Sequence, residues 1–113
     1  MDAARVLREA AKNVPGHWMQ GFYGDGAGNY CAVGHIAKAL GMDVDGYVKG
    51  ERREPVWDDD VEALALALGE VILEQYPESV GYHVPNWNDA EGRTEEEVVA
   101  MFEKAAVKAE EIG

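Results

Sequence analysis

The sequence predicts an all-α fold: a compact bundle of about four helices, with an aromatic, glycine-rich, hairpin-like loop before the second helix. Three observations carry this expectation. Apolar residues recur at i, i+3, i+4 and i+7 in four separate stretches. Each stretch is opened by a side chain suited to capping an N-terminus and most are closed by glycine or proline. Between the first two stretches, residues 17–30 abandon the helical period for aromatic residues and glycines. The 113 residues form one expected helical domain, 1–113, long enough to bury roughly two-thirds of the unfolded surface.

Asp2 is placed to cap a first helix running to about Asn13, with Val6, Leu7, Ala10, Ala11 and Val14 on its apolar side. Pro15 and Gly16 end it. Trp18, Phe22 and Tyr23 then pack down a loop whose turn, 24–29, is flexible. The second helix is expected over 29–41. Asn29 is its N-cap, and Gly41 stops it by taking the left-handed conformation. Val33, Ile36, Ala37 and Leu40 share its apolar face, with Cys31, Gly34, His35 and Lys38 opposite. Gly34 is read as small so that another segment can come close. Residues 42–57 read as a connector. One of Asp58, Asp59 and Asp60 caps the third helix, and all three suit the positive end of its dipole. Its stripe of Val61, Leu64, Ala65, Leu68 and Ile72 is widened by Leu66, Val71 and Leu73, so this helix is expected to be central. Tyr76 and Pro77 end it. A second connector, 78–93, is anchored by Tyr82, Val84 and Trp87, and Asn88 and Asp89 begin a tight turn in it. Thr94 and Glu97 form a capping box, with Val98, Phe102, Ala105, Ala109 and Ile112 on the inner face of the helix that follows. The expected core is Val33, Ile36, Leu40, Leu64, Leu68, Ile72, Val98 and Phe102, with Trp18 and Trp87 packed over it.

Charge bounds the function. Twenty-two acids against ten bases give −12 at pH 7, which repels a phosphate backbone and argues against direct nucleic-acid binding. The same surface suits either solubility or imitation of nucleic acid in a basic protein groove. A single cysteine makes no internal disulfide, and the first residues lack the apolar core of a signal peptide. The apolar region 61–73, broken by Glu62, Gly69 and Glu70, is too short to span a membrane. A cytoplasmic protein without a membrane partner is expected. The breadth of the same apolar region leaves a homodimer open.

Several motif-like stretches fail on inspection. Four glycines within 21–28 lack both the Gly-Lys-Ser/Thr ending and the preceding strand that phosphate loops require. Asp43 to Glu54 has the length of a calcium loop, but Tyr47 and Val48 stand where an oxygen ligand and a glycine are needed. Its acids are read as solvent-facing. The aspartate triplet is better explained by capping than by a cation, because consecutive helical residues point in different directions.

Three pieces of the chain carry a resemblance: Trp18-x-Gln20-Gly21; Cys31-Ala-Val-Gly34 before an apolar helix; and Trp87-Asn-Asp-Ala-x-Gly-Arg-Thr94-x-x-Glu97-Val98 before a helix rich in Phe and Ala. With these the chain resembles an uncharacterised family of small proteins from actinobacteria and their bacteriophages. The resemblance implies a helical domain of phage or actinobacterial source and supplies no activity. A small residue usually follows the glycine of the cysteine helix in that pattern. His35 departs from it, which argues against His35 as a shared catalytic group.

The candidate sites divide into four kinds. Cys31, at the start of a helix whose dipole lowers a thiol pKa, is a possible nucleophile for a hydrolase or transferase, with His83 as base and Asn86 or Asn88 orienting the ring. The local signature and the sheet of papain-like enzymes are both missing, and a lone cysteine among small apolar residues more often packs a core. Cys31 and His35, four apart, with His17 and His83, are a possible metal set, though structural zinc sites normally show two close pairs. Trp18, Phe22, Tyr23, Tyr82 and Trp87, aromatic among acids, have the composition of a protein-binding hot spot. Gly34, Asn88, Asp89, Thr94 and Glu97 are read as structural. The favoured expectation is a small acidic accessory protein, phage-related and more a binder than an enzyme. It takes no cofactor and acts on an unidentified host or phage protein.

Overall fold

The structure, a computed structural model, describes residues 2–51, 56–78 and 84–112. Tyr82 and His83 therefore lie outside the described residues, as do Glu54 and the side chain of Ile112. The elements are α1 (Ala3–Asn13), α2 (Ala32–Ala39), α3 (Val44–Val48), α4 (Asp59–Gln75), α5 (Val84–Asn88) and α6 (Glu95–Ile112). Among the described residues no strand forms; the loop before α2 makes only isolated bridges from Tyr30 to Trp18 and Gly24. The all-α expectation holds, and α1, α2, α4 and α6 are the four expected helices. The short helices α3 and α5 fall in stretches read as connectors. Five residues make little more than one turn, too few for a helical repeat to register.

Caps explain most boundaries. Asp2 Oδ1 accepts from the Arg5 amide at 3.1 Å, and Asp58 Oδ1 accepts from Val61 at 2.9 Å. The second helix starts later than the sequence suggests, with Cys31 rather than Asn29 as N-cap. The reason is that the preceding backbone is already engaged. Tyr30 N donates to His17 O, Met19 N donates to Tyr30 O, and Cys31 N donates to Tyr23 O. Those bonds hold 30–31 extended against the loop, while the Asn29 amide turns to Asp25 Oδ2 at 2.7 Å. Gly41 follows the helix with φ +90°, the left-handed stop its composition predicts.

The centre of the molecule is α2, not α4. Every residue from Cys31 to Ala37 is buried, Gly34 and His35 included, and of the side opposite the apolar face only Lys38 is exposed. Helices α1, α4 and α5 pack around α2, and the loop closes over the rest. Helix α4 buries Val61, Leu64, Leu68, Val71 and Ile72 but leaves Glu62, Leu66 and Glu70 in solvent. The expected core residues are buried, except Leu40, which is half-buried at the margin. Helix α6 lies between α1 and α4, joined to the first by an Arg8–Glu110 ion pair and to the second by Lys108–Glu74 at 2.5 Å.

Two acids read as solvent-facing have structural work. Asp43 caps α3, accepting from Gly46 N at 2.9 Å. Asp45 accepts from Gly28 N at 3.0 Å and from the Tyr30 hydroxyl at 2.5 Å, tying α3 to the loop. No described helix is long and apolar enough to cross a membrane.

Candidate functional site

The three stretches that carry the sequence resemblance converge on one side of α2, and Asn88 is the point where they meet. Its side chain is fully buried. Oδ1 accepts from Trp18 Nε1 at 2.7 Å and from the Ala32 backbone at 3.0 Å. Nδ2 donates to Met19 O at 3.1 Å and to Asp89 Oδ1 at 3.0 Å. Both lone-pair directions and both N–H groups are used, so this buried amide is fully satisfied. The Ala32 N–H is one of the orphan donors at the start of α2, so Asn88 helps to cap that helix from 56 positions away.

A second layer fixes the loop. Gln20 Nε2 donates to the carbonyls of Asn88 and Ala90, both at 3.0 Å, and Gly21 N donates to Asp89 Oδ1 at 2.9 Å. Behind them the Arg93 guanidinium lies 4.2 Å from the centre of the Trp87 ring and 4.7 Å from that of Tyr76. Arg93 also donates to Trp87 O and to Glu97 Oε2, which in turn accepts from the Tyr76 hydroxyl. Amide donation from Thr94 is the first cause holding the Glu97 carboxyl below its usual range. The return bond, Glu97 N to Thr94 Oγ1 at 3.2 Å, completes the capping box. Tyr76 and Arg93 are the partners that sequence reading missed. The i, i+4 spacing of Arg93 and Glu97 was the available signal.

Gly34 marks a close approach. A Cβ there would overlap the carbonyl oxygen of Tyr23 and meet Tyr30 Cβ at 3.0 Å. The backbone of the loop thus rests directly on α2.

Of the catalytic and metal candidates, Cys31, His35 and Asn88 are buried and His17 is exposed. Cys31 Sγ faces the Gly34 amide at 3.5 Å, and burial pushes its thiol pKa up, opposite to what a nucleophile needs. His35 is buried, and burial pulls its pKa down. Its Nε2 lies 2.9 Å from the His17 carbonyl, so this nitrogen carries the proton and donates; Nδ1 has no hydrogen-bond partner among the described residues. The ring meets Tyr30 edge-on at 5.1 Å. His17 is exposed and contributes its backbone here, Asn86 is exposed, and His83 lies outside the described residues. Among the described residues no group of three or more His, Cys, Asp or Glu is placed to hold a metal ion.

The aromatic candidates separate by exposure. Trp87 is a core residue, 4% exposed, while Trp18 and Tyr23 are half-buried. Phe22 is 77% exposed, the most exposed large apolar residue described. It stands beside a cavity of about 250 Å³ lined also by Tyr23, Cys31, Val33, Pro85 and Asp89. A wider cleft of about 1020 Å³ between α1 and α6 is open and carries charged side chains of both signs, including Arg5, Arg8, Lys12, Glu103 and Glu110, beside Val99 and Val107.

Residues 1–108 match the model of a family described as a family of unknown function (DUF6197). No curated protein and no solved structure matches the chain.

Proposed function

The chain belongs to DUF6197, a family of unknown function, and from its geometry we propose that it is a protein-binding module whose contact surface is the loop around Phe22. One observation carries this reading: an aromatic ring 77% exposed stands on a loop braced by hydrogen bonds from Gln20, Gly21 and Asn88. A loop backbone held in place before binding costs little entropy to engage, which suits it to carry an interface anchor. Tyr23 lines the same cavity as Phe22, and Trp18 is tied to the brace through Asn88. We assign the module to the cytoplasm of an actinobacterial host, as a phage-related accessory protein acting as one domain on a host or phage protein. Its work is binding rather than catalysis, because Cys31 is buried with its thiol pKa raised.

A second reading, favoured by the net charge of −12, is that the acidic surface imitates nucleic acid and occupies a basic groove. Both readings are tested by affinity capture from a nuclease-treated actinobacterial lysate, comparing the natural chain with Phe22→Asp. An exposed substitution of this kind changes stability by about 0.5 kcal/mol or less, so thermal melting should be nearly unchanged. A protein retained by the natural chain and lost by Phe22→Asp supports the module. Retention indifferent to Phe22 but displaced by added DNA supports imitation. Retention of nothing specific overturns both.

A further inference from the structure

The cavity beside Phe22 says what kind of segment it takes. We infer that it receives a single apolar side chain of the partner protein, and that Asp89 on its rim pairs with an adjacent lysine or arginine of the same segment. This deepens the binding-module reading and rests on it.

Size sets the first half. At about 250 Å³ the cavity is smaller than the roughly 300–1,000 Å³ of sites for drug-sized ligands and much larger than the roughly 30 Å³ that one water occupies. A cavity of that size admits one apolar side chain whole and is too small for a folded element. The wall chemistry agrees: Phe22, Tyr23, Val33 and Pro85 present carbon, and the Cys31 thiol adds a soft, weakly polar surface.

Charge sets the second half. Asp89 is the one charged side chain among the described lining residues. Its Oδ1 is held by the Gly21 amide at 2.9 Å and the Asn88 amide at 3.0 Å, so the carboxylate is oriented before any partner arrives. Oδ2 takes no hydrogen bond from the described residues and is left for an incoming donor. A chain of net charge −12 further favours a basic segment at long range. The α1–α6 cleft offers no such selection, because its walls carry both signs.

The test uses the whole chain and defined peptides. Acetyl-Gly-Leu-Arg-Gly-amide is titrated into ¹⁵N-labelled protein at low ionic strength, with Leu-Glu and Gly-Arg versions as controls. Saturable shifts are expected at the amides of Gly21, Tyr23, Cys31 and Asp89, with a Kd on the order of 1 mM. Replacing leucine by glycine should weaken binding about tenfold or more, since the buried apolar area is lost. Replacing arginine by glutamate should weaken it about fivefold. Asp89→Asn keeps an oxygen for the Gly21 amide but removes the charge; it should erase the arginine preference and keep the leucine dependence. Phe22→Ala should weaken all the peptides that bind. Shifts that are absent, that ignore leucine, or that ignore the charge at the next position overturn the inference. If they fail while a Phe22-dependent partner is captured from lysate, the module stands and only this chemistry is wrong. If both fail, the module falls with it.

Discussion

Cutting the Asn88 side chain to a methyl would strand the Trp18 indole N–H, the Ala32 amide and the Met19 carbonyl together. Each buried group left without a partner costs about 1–3 kcal/mol, partly relieved by relaxation or water. Asn88→Ala should therefore lower the unfolding free energy by about 2–4 kcal/mol in urea titration, whereas exposed Asn86→Ala should stay within about 0.5 kcal/mol. The sequence marked Asn88 as structural but as a local turn residue. Its amide chemistry was legible; its partners, up to 70 positions away, were not, because only the folded chain brings them near. His35 gives a pH signature of the opposite kind. Its folded pKa lies below the unfolded value of about 6.5, so under that pH the unfolded chain takes up a proton that the native chain excludes. Stability should be level above about pH 7 and fall as pH drops through about 6.5. His35→Gln, which can still donate to the His17 carbonyl, should flatten the melting temperature between about pH 7 and 5. Asp25 and Glu97, with lowered pKa values, add losses only at more acid pH, through the ordinary carboxylate range.

Helices were readable where a cap and several turns of apolar period coincide. Thr94 and Glu97 are such a case, and the box forms in both directions. Thr94→Ala should cost about 1 kcal/mol in thermal or urea unfolding; an unchanged midpoint would mean the cap contributes nothing. The start of α2 was misread because Asn29 is a good cap in isolation, while the loop's backbone bonds to Tyr30 and Cys31 overrule it. The rank of α2 and α4 was reversed for a related reason. Counting apolar residues favours the longer α4, but burial of α2 is completed by a loop folded over Gly34 and His35, which periodicity does not reveal.

For the molecule as a whole, most residues with conspicuous chemistry are spent on architecture. Cys31 and His35 are inside, and Asn88, Arg93 and Glu97 are occupied with one another's neighbours. The proposed contact surface emerges only after this subtraction, since Phe22 differs from Trp18 and Trp87 in exposure and not in composition. The helical class could be read from patterning, because patterning records which residues are buried. The site could not, because it depends on which aromatic ring the folded core leaves outside.

The pairing of α1 with α6 has one more consequence. Arg8 and Glu110 are 102 positions apart, and α6 also supplies the wall that α4 packs on. During synthesis the first helix can meet α2 early, but its larger contact, with α6, waits until residues 95–112 have been made. Docking of α6 is thereby a late step in folding, and Leu7, Ala10 and Val14 are wholly enclosed only in its product.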